Sequence, residues 1–304
     1  MNIACPICFN TESTEYLIVH SEGQVFDVCT CQKCLHHFTR FNFEVNEEEL
    51  YSDEVYKVVD NRNSVYAKIM DFEYSGVLKF LNTALPKGSK ILDFGAGKGV
   101  FMNLANRAGF DVTGVETAEA RADFAEKQYG LKIFRSMYEA GRIGAGSFDV
   151  ITLFHVLEHL PRPKELLQNL LNDNLKAGGM LILEVPNLSS TQAAIAGSNW
   201  MHLDIPRHLS HFSKIRLKAF CKELNLEIVK TETFSLHLGV LGMCHSILSL
   251  FGYRGKIIKD LKHYNKKLML ALVFALPVAI TIELCASLLN RGGVIRVYCR
   301  PLGN

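Results

Sequence analysis

Short apolar runs alternate with helical patterns through the middle of the chain, and this alternation predicts its fold. Runs rich in Ile, Val and Leu predict strands near 90–94, 111–116, 131–135, 148–154 and 179–185, and amphipathic stretches predict helices near 98–108, 118–129 and 163–174. Strands that are apolar along their length are typical of a parallel sheet covered by helices on both faces. The pattern therefore predicts a doubly wound α/β domain with a mostly parallel sheet.

Further elements flank this core. A helix is expected over 64–85, and a helix over 213–224 leads into a strand over 226–235. A last strand over 294–299 follows the Gly292–Gly293 turn and brings the predicted strands of the domain to seven. We therefore expect three parts: a cysteine-rich module at 1–42, a linker and helical segment at 43–88, and the α/β domain at 89–304 with an apolar helical insertion at 236–292.

Composition limits the classes of function. The chain has 304 residues, of which 48% are hydrophobic and 21% charged, enough for one large domain or two smaller ones. Its formal net charge of +2 gives no reason to expect nucleic acid as a partner. Because the N-terminus has neither a basic start nor an apolar stretch, we expect no signal peptide and a cytoplasmic location.

The glycine-rich stretch after the first core strand carries specific chemistry. Leu92-Asp93-Phe94-Gly95-Ala96-Gly97-Lys98-Gly99-Val100 joins a strand to a helix, where glycines let a ligand approach the backbone and the helix start offers N–H groups. A dinucleotide fingerprint would need Gly or Ala at position 100, and a P-loop would need Ser or Thr after Lys98. The spacing therefore fits neither of these phosphate-binding motifs.

Two carboxylates indicate a different cofactor. Asp93, two residues before the first glycine, would repel a pyrophosphate but suits an ammonium group. Glu116, at the end of the next apolar run, is placed to accept hydrogen bonds from two ribose hydroxyls. Another kind of nucleotide-binding α/β domain is the alternative.

Together these residues resemble the class I S-adenosylmethionine-dependent methyltransferases, over residues 60–235 and the last strand. The resemblance implies a Rossmann-like sheet of seven strands, the last antiparallel beside the one before it in sequence, and S-adenosylmethionine as cofactor. It also implies that Tyr51 and Tyr56 belong to a lid over the cofactor. The cofactor-binding residues implied in this way are Asp93, Gly95, Ala96, Gly97, Gly99, Glu116, Thr117, Phe154 and His155.

The cysteine-rich module has the spacing of a metal site. Five of the nine cysteines lie in the first 34 residues, and two C-x-x-C pairs flank a segment that alternates like a hairpin, which is the layout of a zinc ribbon. Four thiolates leave no open position for catalysis, so the zinc would be structural and would supply folding energy. The ligands would be Cys5, Cys8, Cys31 and Cys34, with Cys29 left out and His36 and His37 exposed; reduced cysteines without metal are the alternative.

The segment after the fourth core strand is expected to face the methyl acceptor, since ligands of open α/β sheets bind beyond the carboxyl ends of the strands. Many small-molecule methyltransferases carry a similar stretch to His155-Val156-Leu157-Glu158-His159. By this resemblance, the backbone around Phe154 and His155 contacts the methionine part, while Glu158 and His159 border the acceptor. The alternative role of Glu158 and His159 is a helix-capping pair that orients the loop.

A second polar segment, 200–213, contains three histidines, an arginine and the only tryptophan. Its His-Leu-x-x-Phe-Ser end resembles methyltransferases of bacterial surface-glycan and secondary-metabolite pathways. An imidazole can take the proton of a hydroxyl as it is methylated, which makes His208 the candidate general base. Its alternative role is to shape the pocket, because methyl transfer from a sulfonium depends largely on positioning.

The insertion before the last strand contains an uncharged run, 268–282, that includes Pro277 and is followed by Glu283. A membrane crossing needs about 20 apolar residues, so we do not expect a single span here. Two interpretations remain: a helix hairpin on an anionic membrane surface, guided by the lysines at 256–267, or a helix pair buried against the domain or a second subunit around 256–290. Of the two we favour burial slightly, because Pro277 and Glu283 fit a packed hairpin as well as they fit a membrane face.

The sequence thus predicts a methyltransferase that uses S-adenosylmethionine and structural zinc. We expect it to methylate oxygen, rather than carbon or nitrogen, of a small molecule, with a sugar on a nucleotide or lipid carrier as first choice. The expected catalytic residues are His208, His159 and Glu158. A non-catalytic cofactor-binding protein, whose zinc ribbon recruits a partner, is the second hypothesis, although intact Asp93 and Glu116 count against a relic.

Overall fold

The secondary structure follows the predicted alternation closely. The computed structural model describes residues 4–21, 23–41, 65–135, 140–144, 146–263 and 265–302, and the predicted lid tyrosines, Tyr51 and Tyr56, lie outside these ranges. The strands are β1 (Ser13–Ser21), β2 (Gln24–Cys31), β3 (His37–Arg40), β4 (Lys90–Phe94), β5 (Asp111–Val115), β6 (Lys132–Phe134), β7 (Phe148–Phe154), β8 (Leu175–Pro186), β9 (Ser210–His211), β10 (Leu226–Glu232) and β11 (Val294–Pro301). The helices are α1 (Val65–Ala84), α2 (Val100–Arg107), α3 (Glu119–Tyr129), α4 (Pro163–Asn174), α5 (Thr191–Ala196), α6 (Lys214–Glu223), α7 (Leu238–Leu250), α8 (Ile257–Lys262) and α9 (Lys266–Leu288).

The larger sheet has seven strands in the order β10-β11-β8-β7-β4-β5-β6. Neighbouring strands are parallel except β11, which runs antiparallel to both β8 and β10. This confirms the expected Rossmann-like methyltransferase fold. The carboxyl ends of β4, β5 and β7 meet at one edge of the sheet, which is where such folds bind their ligands.

Both faces of this sheet are covered, as the uniformly apolar strands require. Successive residues of a strand point to opposite faces, and Ile91 and Leu92 of β4 accordingly belong to two different core clusters. Ile91 packs with side chains of α1, α2 and α3, whereas Leu92 packs with side chains of α4 and α6. The doubly wound arrangement therefore follows directly from the pattern of the strands.

The cysteine-rich module forms a second, four-stranded sheet in the order β1-β2-β3-β9. Here we call the described residues 4–21 and 23–41 the ribbon. Its outer strand, β9, comes from the 200–213 segment of the α/β domain and pairs antiparallel with β3. Phe38 of the ribbon and Phe212 of the domain are both buried in one core cluster. The ribbon and the domain therefore share a sheet and a core.

The insertion forms three helices, and its long helix differs from the expected hairpin. Pro277 lies inside α9, which is a continuous helix of 23 residues. Among the described residues, α9 is the one helix that is long enough and apolar enough to cross a membrane, judged by length and composition alone. Of its most apolar stretch of 18 residues, 22% is buried. The helix extends beyond the uncharged run, and only a minor part of it is buried against this domain, where it packs on α7. The absence of a membrane span and burial against a second subunit stay predictions.

Candidate active site

The glycine turn after β4 has three residues in the left-handed region, with φ of 79° at Gly95, 55° at Gly97 and 72° at Gly99. A Cβ at Gly95 would lie 2.3 Å from Cγ2 of Val156, and a Cβ at Gly99 would lie 2.7 Å from Leu131. A Cβ at Gly97 would instead meet nothing within 4 Å. Two of the glycines therefore allow close packing, while Gly97 faces the space in which a ligand could lie.

The amides of this turn are used within the protein. Gly95 and Ala96 both donate to the carbonyl of Val115 at 2.9 Å, and Gly99 donates to the carbonyl of Ala96 at 2.9 Å. Gly97 N donates to Glu116 Oε2 at 2.7 Å. The expected supply of N–H groups for a ligand is therefore reduced, and a turn with these four amides engaged is poorly suited to a phosphate.

Two buried carboxylates flank the turn at the ends of adjacent strands. Asp93 is buried and accepts a hydrogen bond from Thr152 Oγ1 at 2.7 Å. Burial, together with the nearby charge of Glu116, raises the pKa of Asp93 to about 7 even though this hydrogen bond opposes the shift. Glu116 accepts from Gly97 N and, at 2.8 Å, from Ala118 N. A cation bound beside Asp93 would offset the free-energy cost of burying its charged carboxylate.

Around these carboxylates lie the other predicted cofactor residues. Ala96 is buried and Thr117 is exposed. The half-buried ring of Phe154, at the end of β7, packs against Tyr74 with centroids 5.3 Å apart and against Phe101 at 5.0 Å. The structure thus places all nine predicted cofactor residues at the carboxyl edge of the sheet.

His155 forms the centre of a charged network that the sequence analysis did not assign. Its Nδ1 lies 3.2 Å from Glu158 Oε1 and its Nε2 lies 2.9 Å from Glu184 Oε1. Burial would lower the pKa of His155, but the two carboxylates raise it to about 10. Arg296 donates to Glu184 Oε2 at 2.5 Å. The charges of His155, Glu158, Glu184 and Arg296 sum to zero, so these buried groups compensate one another, and Arg296 also pairs with Glu232 at 3.3 Å.

The predicted acceptor residues meet beside this network. The rings of His159 and His208 lie 4.6 Å apart. One ligand atom from each of Glu158, His159 and His208 lies within 4.8 Å of the others. Glu158 Oε2 is buried without a hydrogen-bond partner among the described residues. Two imidazoles and a carboxylate are also a possible ligand set for a divalent cation, but Glu158 is already balanced by cationic His155.

Hydrogen bonds determine which nitrogen of each imidazole can react. His208 Nδ1 donates to the carbonyl of His202 at 2.9 Å, and His159 Nδ1 donates to the carbonyl of Arg207 at 3.0 Å. A neutral His208 therefore carries its lone pair on Nε2. Burial lowers the pKa of His159 to about 4, which keeps its ring neutral near pH 7. The helix-capping alternative is not supported, since Glu158 lies in the 3-10 turn Leu157–His159 and no side chain caps that turn or α4.

The other histidines of the 200–213 segment are structural. His202 Nε2 donates to the carbonyl of Leu238 at 3.2 Å, and His211 Nε2 bonds to Thr39 Oγ1 at 2.9 Å. Burial lowers the pKa of both imidazoles to about 3. Trp200 is buried and donates from Nε1 to Gln192 Oε1 at 3.1 Å. Of the three histidines in this segment, only His208 has its ring beside Glu158 and His159.

The four predicted zinc ligands come together in the ribbon. The Sγ atoms of Cys5 and Cys34 lie 3.6 Å apart and those of Cys8 and Cys31 lie 3.5 Å apart, with all four within 4.8 Å of one another. A tetrahedral zinc with Zn–S bonds of about 2.3 Å requires sulfur separations of about 3.8 Å. The four thiols therefore fit a zinc ion.

The neighbours of the thiols differ in part from expectation. Cys29 is buried in β2 and is not part of the group of four, as expected. His36, however, is completely buried and its ring packs on Phe212 at 4.9 Å, so the expectation that it is exposed is wrong. The positive charge of Arg216 on α6 acts on Cys34 and helps to lower its pKa, after the larger effect of a hydrogen bond with Cys5.

Comparison with known proteins identifies the domain. A methyltransferase-domain family matches residues 66–231, more than half of the chain. The chain belongs to this family. A ubiquinone biosynthesis O-methyltransferase of Nitrosococcus oceani is 25% identical over 202 residues, covering 62% of this chain and 85% of that protein. One from Xanthomonas axonopodis pv. citri is 28% identical over 164 residues, covering 50% of this chain and 68% of that protein.

Solved structures show the same fold. The E. coli protein YjhP is 14% identical with a TM-score of 0.50, covering 82% of this chain and 100% of that chain. A protein assigned as a sarcosine dimethylglycine methyltransferase from Galdieria sulphuraria is 16% identical, also with a TM-score of 0.50, covering 84% of this chain and 91% of that chain. The protein is thus an S-adenosylmethionine-dependent methyltransferase, and the comparisons favour the enzyme over a non-catalytic binding protein.

Proposed function

We propose that this methyltransferase transfers the methyl group of S-adenosylmethionine to a hydroxyl oxygen of a small molecule. The observation that carries the proposal is the contact between the two halves of the site. Gly95 of the glycine turn lies so close to Val156 that no Cβ would fit between them. The cofactor turn therefore touches the segment that bears Glu158 and His159.

On the cofactor side, Asp93 binds the ammonium group of the methionine part and Glu116 binds the two ribose hydroxyls. Glu116 can do so because, among the described residues, each of its oxygens accepts one amide hydrogen bond, from Gly97 or Ala118, and a carboxylate oxygen can accept two. Phe154 and the backbone of His155 border the methionine chain. Gly95, Ala96, Gly97, Gly99 and Thr117 line the rest of the site.

On the acceptor side, His208 is the general base. Its Nε2 takes the hydroxyl proton while the oxygen attacks the methyl carbon in line with the departing sulfur. The products are the methyl ether, S-adenosylhomocysteine and protonated His208. Asp204 Oδ2, 3.8 Å from His208 Nε2, stabilises the imidazolium that forms. His159 and Glu158 hold the acceptor hydroxyl beside this base.

Two acceptor classes are favoured. A sugar on a nucleotide or lipid carrier remains our first choice, because the 200–213 segment resembles methyltransferases of glycan pathways. The names of the relatives support an oxygen acceptor and favour a second class, a phenol with a lipophilic tail. Both classes place a hydroxyl next to a bulky or apolar group.

An assay with a labelled methyl group tests the reaction. Purified protein is incubated with S-adenosylmethionine and a panel of carrier-linked sugars and lipophilic phenols. The His208→Ala variant should lose about 10²-fold in kcat, the lower range for a general base, and keep its affinity for S-adenosylhomocysteine. His20→Ala, an exposed histidine of β1, is the matched control. Binding of the cofactor product without labelling of any acceptor would refute O-methylation of these classes.

The ribbon, we propose, holds one structural zinc ion on Cys5, Cys8, Cys31 and Cys34. The sulfur separations support this, and a site closed by four thiolates supplies no reactive position.

We also propose that the enzyme works at the cytoplasmic membrane surface through α9. Phe274, Val273 and Leu270 are 72%, 66% and 64% exposed. Single exposed apolar residues are common on protein surfaces, but neighbouring ones that form a continuous apolar face mark a site of interaction. Six exposed cations, Arg254, Lys256, Lys259, Lys262, Lys266 and Lys267, lie before or at the start of this helix. Their charge favours an anionic lipid surface over a second copy of the same basic segment.

The anchoring of α9 supports contact with the surface rather than a span. Glu283 is fully buried and accepts hydrogen bonds from Gly293 N at 2.6 Å and from Gln192 at 3.2 Å. Since Gly293 leads directly into β11, the helix cannot leave the domain without exposing a buried carboxylate to lipid.

Sedimentation with phosphatidylglycerol vesicles tests this contact. The wild type should bind at low salt and be released at high salt, since each lysine contributes about 1 kcal/mol at such a surface. A Val273→Ser, Phe274→Ser variant should bind weakly. Ile215→Ser, which removes an equally exposed apolar residue from α6, should bind as the wild type does. A dimer in solution that ignores the vesicles would instead support the second-subunit interpretation.

A further inference from the structure

The last strand of the ribbon, β3, makes a direct contact with the acceptor side. Thr39 of β3 is completely buried. Its backbone N donates to the carbonyl of Leu209 at 3.0 Å, and its hydroxyl donates to the carbonyl of His208 at 2.8 Å. Because the single hydroxyl proton is used in this way, His211 Nε2, 2.9 Å away, must be the donor to Thr39 Oγ1. One ribbon residue therefore makes three hydrogen bonds to the segment that carries the proposed base.

The same segment is held from the opposite side by the turn after β7. Leu209 N donates to the carbonyl of Glu158 at 2.8 Å, and His159 Nδ1 bonds to the carbonyl of Arg207. Residues 207–209 therefore lie between the ribbon and the turn that bears the other two acceptor residues. A shift of β3 would be passed to His208 and, through Leu209, to Glu158.

The thiol site is connected to β3 by a short, closed turn. Cys31 N donates to the carbonyl of His36 at 2.9 Å, and Leu35 N donates to the carbonyl of Cys31 at 3.0 Å. Only His36 separates this turn from the start of β3 at His37. Cys31, Phe38 and Phe212 are buried in one core cluster. The conformation of the second cysteine pair therefore determines where β3 begins.

We infer that Thr39 is a positioning residue of the acceptor side, and that metal at the four thiols stiffens the strand through which it acts. The ribbon is then a wall of the acceptor site, built into the enzyme, rather than a module that recruits another molecule. The link to catalysis rests on the proposed role of His208 as the base. The contact between the ribbon and the 205–213 segment can be tested without any enzyme activity.

The chain offers matched variants to test this inference. Thr39→Val keeps the shape of the side chain and leaves the His208 carbonyl and His211 Nε2 without their partner, whereas Thr39→Ser keeps the hydroxyl. Thr30→Val is the control, since the Thr30 hydroxyl bonds to His37 Nδ1 at 3.0 Å within the ribbon rather than to the 204–211 segment.

Amide hydrogen exchange is measured on peptides spanning 205–213 and 90–134. Thr39→Val should exchange about tenfold faster or more over 205–213, as expected for the loss of a buried hydrogen bond. Its exchange over 90–134 and its affinity for S-adenosylhomocysteine should match the wild type. Thr39→Ser and Thr30→Val should behave as the wild type does. Wild-type exchange in Thr39→Val, or an equal increase in Thr30→Val, would overturn the inference.

Metal removal gives a second measurement if Thr39→Val does not fold. Chelator treatment of the wild-type protein should speed exchange over 205–213 and leave 90–134 unchanged, and readdition of zinc should reverse the effect. If loss of the metal left the exchange over 205–213 unchanged, the inference that metal at the thiols stiffens this segment through β3 would be overturned. None of these readouts needs a methyl acceptor, so an absence of methyl transfer would count against the proposed function alone.

Discussion

The cofactor side and the acceptor side of this methyltransferase lie at the same edge of one sheet but are assembled differently. On the cofactor side, Gly97 and Glu116 are 19 positions apart and lie just beyond the ends of adjacent strands, where the Gly97 N–H donates to the Glu116 carboxylate. On the acceptor side, Thr39 and His208 are 169 positions apart. A site formed by consecutive strands depends on local sequence, whereas a site formed by distant segments depends on how the whole chain packs. The two sides should therefore fail independently.

Removal of the ribbon metal should break the acceptor side alone, and with the largest effect. Cys31→Ser should lower the zinc content from about one ion per chain to near zero, because three thiolates close the tetrahedron poorly. Its affinity for S-adenosylhomocysteine should not change. Elemental analysis and calorimetry measure the two quantities, and Cys29→Ser is the matched control that should retain its metal. Wild-type zinc content in Cys31→Ser would remove Cys31 from the proposed ligands.

Glu116→Ala should break the cofactor side alone. It removes the acceptor of two ribose hydrogen bonds, each worth roughly 1.5–3 kcal/mol when charge-assisted, and it frees the Gly97 amide. The affinity for S-adenosylmethionine should fall by about 10²-fold or more by calorimetry, with the zinc content unchanged. Glu119→Ala, an exposed carboxylate of α3, is the control. Wild-type affinity in Glu116→Ala would show that this strand end does not bind the ribose.

The pH dependence of cofactor binding sharpens the role of Asp93. Since burial raises its pKa to about 7, the free protein binds a proton there at lower pH, and an ammonium group must displace it. Affinity for S-adenosylmethionine should therefore rise by up to about tenfold per pH unit from pH ~5 to pH ~7 and then level off. Calorimetry across this range checks the slope, and Asp93→Asn should abolish it. If the affinity of the wild type did not change with pH, Asp93 would not be the group that binds the ammonium.

The same shift has a consequence for stability with the opposite sign. The pKa of Asp93 in the folded protein lies above its ordinary value of 3.8. Between these two values the folded state binds more protons than the unfolded state. The ligand-free protein should therefore lose stability as the pH rises from about 4 to about 7, and Asp93→Asn should lose less. Chemical denaturation at several pH values measures the difference.

Thr152→Val should have the smallest effect and tests the environment of Asp93. The Thr152 hydroxyl stabilises the charged carboxylate through a 2.7 Å hydrogen bond, so its loss should raise the pKa of Asp93 further. The midpoint of the binding profile should move to higher pH by less than about one unit. Thr83→Val, at the exposed end of α1, should leave the profile in place. A midpoint that moves to lower pH would contradict this account of the carboxylate.

Helix α9 shows the limit of arguments from composition. The uncharged run, Pro277 and Glu283 fit a packed hairpin as well as a membrane face, and Glu283 is buried, with hydrogen bonds to Gln192 and Gly293. Composition alone did not indicate that Pro277 would lie within a continuous helix or that Phe274 would be exposed. Apolar residues around the whole helix gave no preferred face, so only the packing against α7 determines which side is buried.

The network around His155 was also beyond sequence reasoning. Glu184 lies near the carboxyl end of β8, but its partner His155 lies 29 positions earlier and Arg296 lies 112 positions later. One feature of the sequence could have indicated it: Glu184 is a carboxylate at the end of an apolar strand, and a buried charge there requires a partner of opposite sign. Which charges pair is decided by the antiparallel insertion of β11 beside β8, which places Arg296 opposite Glu184.

By itself, the sequence determined the order of strands and helices in the α/β core, the glycine turn with its two carboxylates, and the two cysteine pairs. These features depend on short periodicities and on ligands a few residues apart, which local geometry controls. The tertiary structure alone decided that β9 would complete the ribbon sheet, that Thr39 would hold His208, and that α9 would present its apolar side outward. Those contacts join segments far apart in the chain, and their pairing is selected by the packing of the whole molecule rather than by any local pattern.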